Sequence, residues 1–289
     1  MMSPDNPSLL SVRGLSIDYE GPRTTHAVRS VDLELARGEI LGLAGESGCG
    51  KSTLAYGLNQ LLRPPAAIIA GEVVFHEESG EDIDVLRLQG RALRSYRWSK
   101  VSMVFQGAMN SLNPVTNVAA QLADVFTTHR PDLTKPEREE RSRELLQLVG
   151  VDEGRLGSFP HELSGGMRQR VMIAMALALQ PQLMIMDEPT TALDVVVQRD
   201  ILTEIMRLRE QFGFAVVFIT HDLPLLLEVS DTIAIMKDGE IVEKASAEDV
   251  FFDAQHPYTR RLLGSFPSLT GDRGDFIRSG IDANEGGGR

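Results

Sequence analysis

Gly45-Glu46-Ser47-Gly48-Cys49-Gly50-Lys51-Ser52 carries the pattern G-x-x-x-x-G-K-[ST]. It follows the run Glu39-Ile40-Leu41-Gly42-Leu43-Ala44 and precedes a helical pattern from Ser52 to Leu62, so strand, glycine-rich loop and helix stand in the order the pattern requires. The chemistry is specific. Glycines let successive backbone N–H groups curl round phosphate oxygens, and the helix N-terminus adds positive potential. Lys51 is placed to reach the β- and γ-phosphates, the Ser52 hydroxyl to take Mg²⁺, and Thr53 to extend the same contacts. The stretch predicts binding of a nucleoside triphosphate. At this helix N-terminus the Cys49 thiol is expected to favour its thiolate.

A second signal lies downstream. Leu183-Met184-Ile185-Met186-Asp187 is a short apolar run ending in a carboxylate, as a buried parallel strand does, with Glu188-Pro189-Thr190 at its C-terminal edge. At the ends of parallel strands Asp187 would hold Mg²⁺ directly or through water, and Glu188 would polarise an attacking water. In isolation the pair is equally well a surface cap on a strand.

The third signal is Leu163-Ser164-Gly165-Gly166-Met167-Arg168-Gln169-Arg170, which opens a helix-forming run through Gln180 that Pro181 ends. A Ser and two glycines at a helix N-terminus make a further anion site, although alone they could be an ordinary cap. This helix, followed by the Asp187 strand, resembles the signature segment of ATP-binding cassette (ABC) ATPases. The resemblance implies the remaining motifs, and each has a match. Tyr19 matches the aromatic that stacks on adenine, Gln106 the glutamine that touches Mg²⁺ and the attacking water, and His221 the switch histidine at the γ-phosphate. Ala192-Leu193-Asp194 matches the D-loop. The candidate catalytic residues are thus Glu188, His221 and Gln106, and the candidate magnesium ligands Ser52, Gln106 and Asp187. The candidate nucleotide contacts are Tyr19, Gly45 to Thr53, Ser164, Gly165, Gly166 and Asp194, the signature residues acting on ATP held by a facing cassette.

The implied fold is α/β, a P-loop NTPase of the ABC ATPase type with an N-terminal antiparallel β subdomain and an inserted α-helical subdomain. Residues 8–250 are expected to form the ATPase domain, with the helical insertion at about 107–180 marked by Pro114, Pro131, Pro136 and Pro160. Within it a charged helix is expected from Pro136 to Leu148, stopped by Gly150. The segment Glu248 to Gly264 reads as helix broken by Pro257. Residues 251–270 form an extension and 271–289, rich in Gly, Asp and Arg, are expected to be disordered. No internal repeat is evident, so one cassette is expected.

Two stretches narrow the resemblance. His256-Pro257-Tyr258-Thr259 resembles the HPYT segment of ATPases in the dipeptide/oligopeptide importer family, and Asn110-Ser111-Leu112-Asn113-Pro114 resembles their Q-loop extension. Relatives carrying oligosaccharides or nickel remain an alternative, and Gly107-Ala108-Met109 and Val195-Val196-Val197-Gln198 depart from the commoner residues. The implied partners are a second, non-identical cassette, two transmembrane permease subunits and an extracytoplasmic substrate-binding protein, with the chain peripheral on the cytoplasmic face of the membrane. A soluble ABC ATPase of DNA repair or translation is the rival from another class; the tandem cassettes, zinc insertions and long coiled coils of those proteins are not seen.

Composition fits this reading. The chain has 289 residues and a formal charge of −12, against nucleic acid as the main partner. Arg87, Arg91, Arg94 and Arg97 recur at helical spacing and read as one solvated face of a helix, with a local basic patch as the alternative. The single cysteine excludes an internal disulfide. The longest apolar stretch, Val171 to Leu179, is about half of the ~20 residues that span a bilayer, and Met1 to Pro7 lacks the features of a signal peptide.

Overall fold

Two kinds of hydrophobic pattern alternate along the chain, and the computed structural model turns them into two compact units, residues 1–86 with 217–289 and residues 87–216. It describes residues 7–107, 111–190 and 193–265. The expected Q-loop residues 108–110, Thr191 and Ala192 of the D-loop region, and residues 266–289, which include the expected disordered tail, lie outside these.

The first unit opens with β1 (Ser8–Tyr19), β2 (Thr25–Ala36), β3 (Ile40–Ala44), α1 (Lys51–Leu58), β4 (Ala66–His76) and β5 (Asp82–Asp84). Strands in the order β2-β1-β4-β5 form an antiparallel sheet. Leu9, Leu10, Val12, Leu15 and Ile17 of β1 are all buried, so this strand is the spine of the sheet. Helix α1 stops at Leu58 rather than at the expected Leu62: the Asn59 N–H turns back to Gly57 O, and Gln60 adopts φ +49° before Pro64.

The second unit contains α2 (Gly90–Ser99), β6 (Val101–Val104), α3 (Val118–His129), α4 (Lys135–Leu148), α5 (Gly165–Leu177), β7 (Leu183–Asp187) and α6 (Val195–Phe212). Strands β6 and β7 pair in parallel, from Val101 opposite Leu183 to Val104 opposite Met186. All five residues of β7 are buried, which is why the strand reads as an unbroken apolar run rather than an alternating one. Helix α4 is mostly exposed and begins on a capping box in which Glu137 accepts the Thr134 N–H at 2.7 Å. The expected continuous arginine face does not form. Arg87 sits in a short 3-10 turn, and the helical geometry of α2 breaks at Arg97 (ψ 135°) and Trp98 (φ 78°).

Strand β8 (Ala215–Ile219) is divided between the units after Val216. The chain then forms α7 (Leu223–Val229), β9 (Thr232–Lys237), β10 (Glu240–Ser246), α8 (Ala247–Asp253) and α9 (Pro257–Gly264) in the first unit. There the strand order is β10-β9-β3-β8, with β3 and β9 parallel and β9 and β10 antiparallel; in the second unit it is β8-β7-β6. Gly42 of β3 leaves room for α7: a Cβ there would stand 2.6 Å from Ser230 Oγ and 3.1 Å from Leu226 Cδ2. Among the described residues no helix is long and apolar enough to cross a membrane.

Candidate functional site

In the first unit β3 ends at Ala44 and α1 begins at Lys51, so residues 45–50 make the loop between a buried strand and a helix N-terminus. Three glycines shape it, with φ of +152° at Gly45, +81° at Gly48 and +109° at Gly50, a region L-residues rarely enter. Two of them are also packed against backbone. A Cβ on Gly45 would lie 2.2 Å from Met236 O, and one on Gly50 would lie 2.2 Å from Ala27 O. The turn between β9 and β10 braces the loop, since the Gly239 N–H donates to Cys49 O at 3.1 Å.

Lys51 is 7 % exposed, and its ammonium donates to Gly45 O at 2.8 Å and Glu46 O at 2.9 Å. A buried cation with three donors thus lies under the exposed residues Glu46, Ser47 and Gly48 at a helix N-terminus. That arrangement fits a polyphosphate. Tyr19 ends β1, and its hydroxyl lies 3.2 Å from Thr53 Oγ1, so the candidate adenine aromatic stands beside the first turn of α1. Cys49 corrects the expectation for its thiol: it is 9 % exposed, and burial pushes the thiol up, outweighing the opposing pull of the Lys51 ammonium. His221 is exposed just after β8. Its turn is tied by the Asp222 N–H to Thr220 Oγ1 at 3.1 Å, and Asp222 caps α7 through the Leu225 N–H at 3.1 Å.

In the second unit Asp187 closes β7 with 1 % exposure, and Glu188 follows with φ +46°. A left-handed backbone at a glutamate is uncommon and costs free energy, as conformations held at functional positions often do. It turns the side chain off the strand end, where Gln106 Nε2 donates to Glu188 Oε2 at 2.8 Å. The two candidate catalytic side chains from different segments are therefore in direct contact. Ser164 caps α5, its Oγ accepting the Met167 N–H at 3.2 Å, and Asp194 caps α6 through the Val197 N–H at 3.0 Å. The two helix starts approach closely at Gly166, where a Cβ would be 2.8 Å from Val197 Cγ1. Gln198 holds the chain before α6 by donating to Thr190 O at 3.0 Å.

Mg²⁺ prefers hard oxygen donors and usually takes most of its remaining ligands from water and phosphate. The Ser52 hydroxyl, the Asp187 carboxylate and the Gln106 amide oxygen are such donors, and among the described residues no group of three or more His, Cys, Asp or Glu is arranged to hold a metal. Ser52 lies in the first unit and Asp187 and Gln106 in the second, and each unit thus offers oxygen donors of the kind magnesium takes.

One contact had no signal in the sequence. Tyr258 of α9, 4 % exposed, accepts the Glu46 N–H of the phosphate loop through its hydroxyl at 3.2 Å. The two residues are 212 positions apart, and only the fold joins them.

Comparison with known proteins agrees with this geometry. The ABC transporter family profile matches residues 28–191. The dipeptide transport ATP-binding protein of Haemophilus influenzae is 42 % identical over 91 % of this chain and 78 % of its own length. The peptidoglycan transport ATP-binding protein of Agrobacterium fabrum is 45 % identical over 92 % of this chain; the matched segment spans 48 % of that relative. Among solved structures, a dimeric ATP-binding cassette in a post-hydrolysis state with ADP and Pi superposes with a TM-score of 0.71 at 29 % identity, over 83 % of this chain and 99 % of that one. The phosphate loop over a buried lysine, the strand-end carboxylates and the capped signature helix thus occur together in a chain that belongs to the ABC transporter family, as one of its ATPase cassettes.

Proposed function

We propose that this chain is the ATP-hydrolysing subunit of an importer of the dipeptide/oligopeptide type, working as a pair with a second, non-identical cassette on the cytoplasmic face of the membrane. Two transmembrane permease subunits and an extracytoplasmic substrate-binding protein complete the complex. The observation that carries the reading is the joint presence of the Lys51 phosphate loop and the Gln106–Glu188 contact in a chain whose relatives include a dipeptide transport ATP-binding protein. We read residues 8–250 as the ATPase domain, with 107–180 its helical insertion and 251–270 the extension.

The roles follow from the residues. The phosphate loop at residues 45–53, through its backbone amides other than those of Glu46 and Cys49, and the Lys51 ammonium bind the phosphates, Tyr19 stacks on the base, and Ser52, Gln106 and Asp187 would hold magnesium, which would supply charge neutralisation at the phosphates. Glu188 orients and polarises the attacking water; the Gln106 amide, bonded to it, fixes its rotamer. His221 contacts the γ-phosphate. Ser164, Gly165 and Gly166, with Asp194, serve the nucleotide of the facing cassette, because each chain carries one phosphate loop and one signature. Closure on ATP and reopening after hydrolysis transmit the cycle to the permeases.

The test is uptake. In cells lacking the chain, the wild type should restore accumulation of a labelled dipeptide or oligopeptide and co-purify with two multi-span proteins, whereas Glu188→Gln should restore assembly without uptake. Restoration of oligosaccharide or nickel uptake instead would reassign the cargo. Absence of any membrane partner would contradict the importer reading.

A further inference from the structure

The HPYT segment lies beyond the cassette motifs, yet its tyrosine reaches into the phosphate loop. The Glu46 N–H that Tyr258 accepts belongs to the peptide group Gly45–Glu46, and the carbonyl of that same peptide, Gly45 O, accepts from Lys51 Nζ at 2.8 Å. A peptide group is planar and rigid. Gripped by a phenol on its N–H edge and by the ammonium on its C=O edge, this plane cannot rotate without breaking one of the two bonds. A neighbouring carbonyl, Glu46 O, takes a second bond from the same ammonium at 2.9 Å.

Tyr258 is itself held in place. The Lys237 ammonium lies 5.4 Å from the centre of its ring, within cation–π range. Its N–H donates to His256 Nδ1 at 3.1 Å, capping α9. Glu243 of β10 accepts the N–H groups of Gln255 at 2.6 Å and His256 at 3.1 Å, anchoring the turn that leads into the helix. A continuous set of bonds therefore runs from β10 through the start of α9 to the loop lysine, all inside the first unit.

From this geometry we infer that Tyr258 is a positioning residue of the nucleotide site. It fixes the Gly45–Glu46 peptide, and with it the Lys51 ammonium, in the orientation that receives phosphate before nucleotide arrives. Helix α9 is thus a working support of the phosphate loop rather than an appendage to the cassette. The inference rests on the nucleotide-binding reading.

The experiment compares the full wild-type chain with Tyr258→Phe, which keeps the ring and removes only the hydroxyl. Equilibrium titration with ATP and with ADP should give dissociation constants raised about 2- to 12-fold, the scale of one hydrogen bond. In the assembled transporter KM for ATP should rise by a similar factor with kcat within about two-fold, because uniform binding is lost and the water-activating groups are untouched. A purely structural tyrosine would lower thermal stability and leave both constants where they were; unchanged dissociation constants overturn the inference. A wild-type chain that binds no ATP would instead refute the nucleotide reading itself. Hydrogen exchange on the nucleotide-free wild type is a second measure that does not depend on the variant folding. The Glu46 amide, on an exposed loop residue, should exchange slowly, and exchange at the rate of an unbonded amide would contradict the Tyr258 bond.

Discussion

Gly48 and Gly50 separate two costs that the phosphate loop imposes on its residues. Both have positive φ, +81° and +109°, so an alanine at either position forces an L-residue into a strained region at about 1–2 kcal/mol. At Gly48 nothing lies within 4 Å of the added Cβ, and strain is the whole cost. At Gly50 the Cβ would stand 2.2 Å from Ala27 O and 2.8 Å from Met236 Cε. The first of these is backbone and cannot swing aside, so overpacking adds about 1–3 kcal/mol. Gly50→Ala should therefore cost about 2–5 kcal/mol against about 1–2 kcal/mol for Gly48→Ala. At roughly 2–4 °C per kcal/mol the two melting temperatures should fall by about 4–20 °C and 2–8 °C. Circular dichroism melts of the nucleotide-free chain are the assay, so that effects on ligand binding do not enter. A Gly50→Ala variant as stable as Gly48→Ala would refute the packing of this loop against β2 and β9.

Glu188→Gln should retain ATP binding while hydrolysis in the assembled complex falls by roughly 10²–10⁴, the worth of a positioned base; near-normal turnover would show that another group activates the water. Alkylation of Cys49, the only thiol in the chain, should be slow at neutral pH and rise only above the usual thiol range, because burial favours the protonated form, and ATP should slow it further. Fast labelling at pH 7 would contradict the burial. Burial raises the Glu243 pKa, but the Thr259 hydroxyl, followed by the Gln255 and His256 N–H groups, overcomes this and holds the carboxyl below its ordinary value of 4.5. The unfolded chain then binds that proton more tightly, so the contribution to stability is complete above pH 4.5 and is lost as pH falls through the lower folded value. The gap in urea midpoint between wild type and Glu243→Gln should be widest near neutrality and close in acid; a gap unchanged at low pH would refute the assignment.

Local chemistry made part of this molecule legible in its sequence. Leu183–Asp187 could be bounded because a strand buried on both faces is uniformly apolar and ends where a carboxylate begins. Pro136 and Glu137 suit a first helical turn and so mark the start of α4 to within a residue of Lys135, which follows the Thr134 cap. Features set by distant pairing were not legible. Strand β1 extends from Ser8 to Tyr19 because β2 and β4 both pair with it, and that length is set by the pairing rather than by a local run of residues. The arginine spacing from Arg87 to Arg97 suggested one helix face, but the backbone turns at Arg97 and Trp98. At the site, residue types announced the phosphate loop, Asp187 and Glu188, while three features came only from the fold: the left-handed backbone of Glu188, its bond to Gln106 and the grip of Tyr258 on Glu46.

If one chain supplies half of each of two ATP sites, as proposed, ATP turnover per chain must depend on chain concentration. The rate per chain should be low for the dilute monomer and should rise with concentration or on adding the companion cassette and permeases. Full-speed hydrolysis by a strict monomer at low concentration would contradict the two-cassette mechanism.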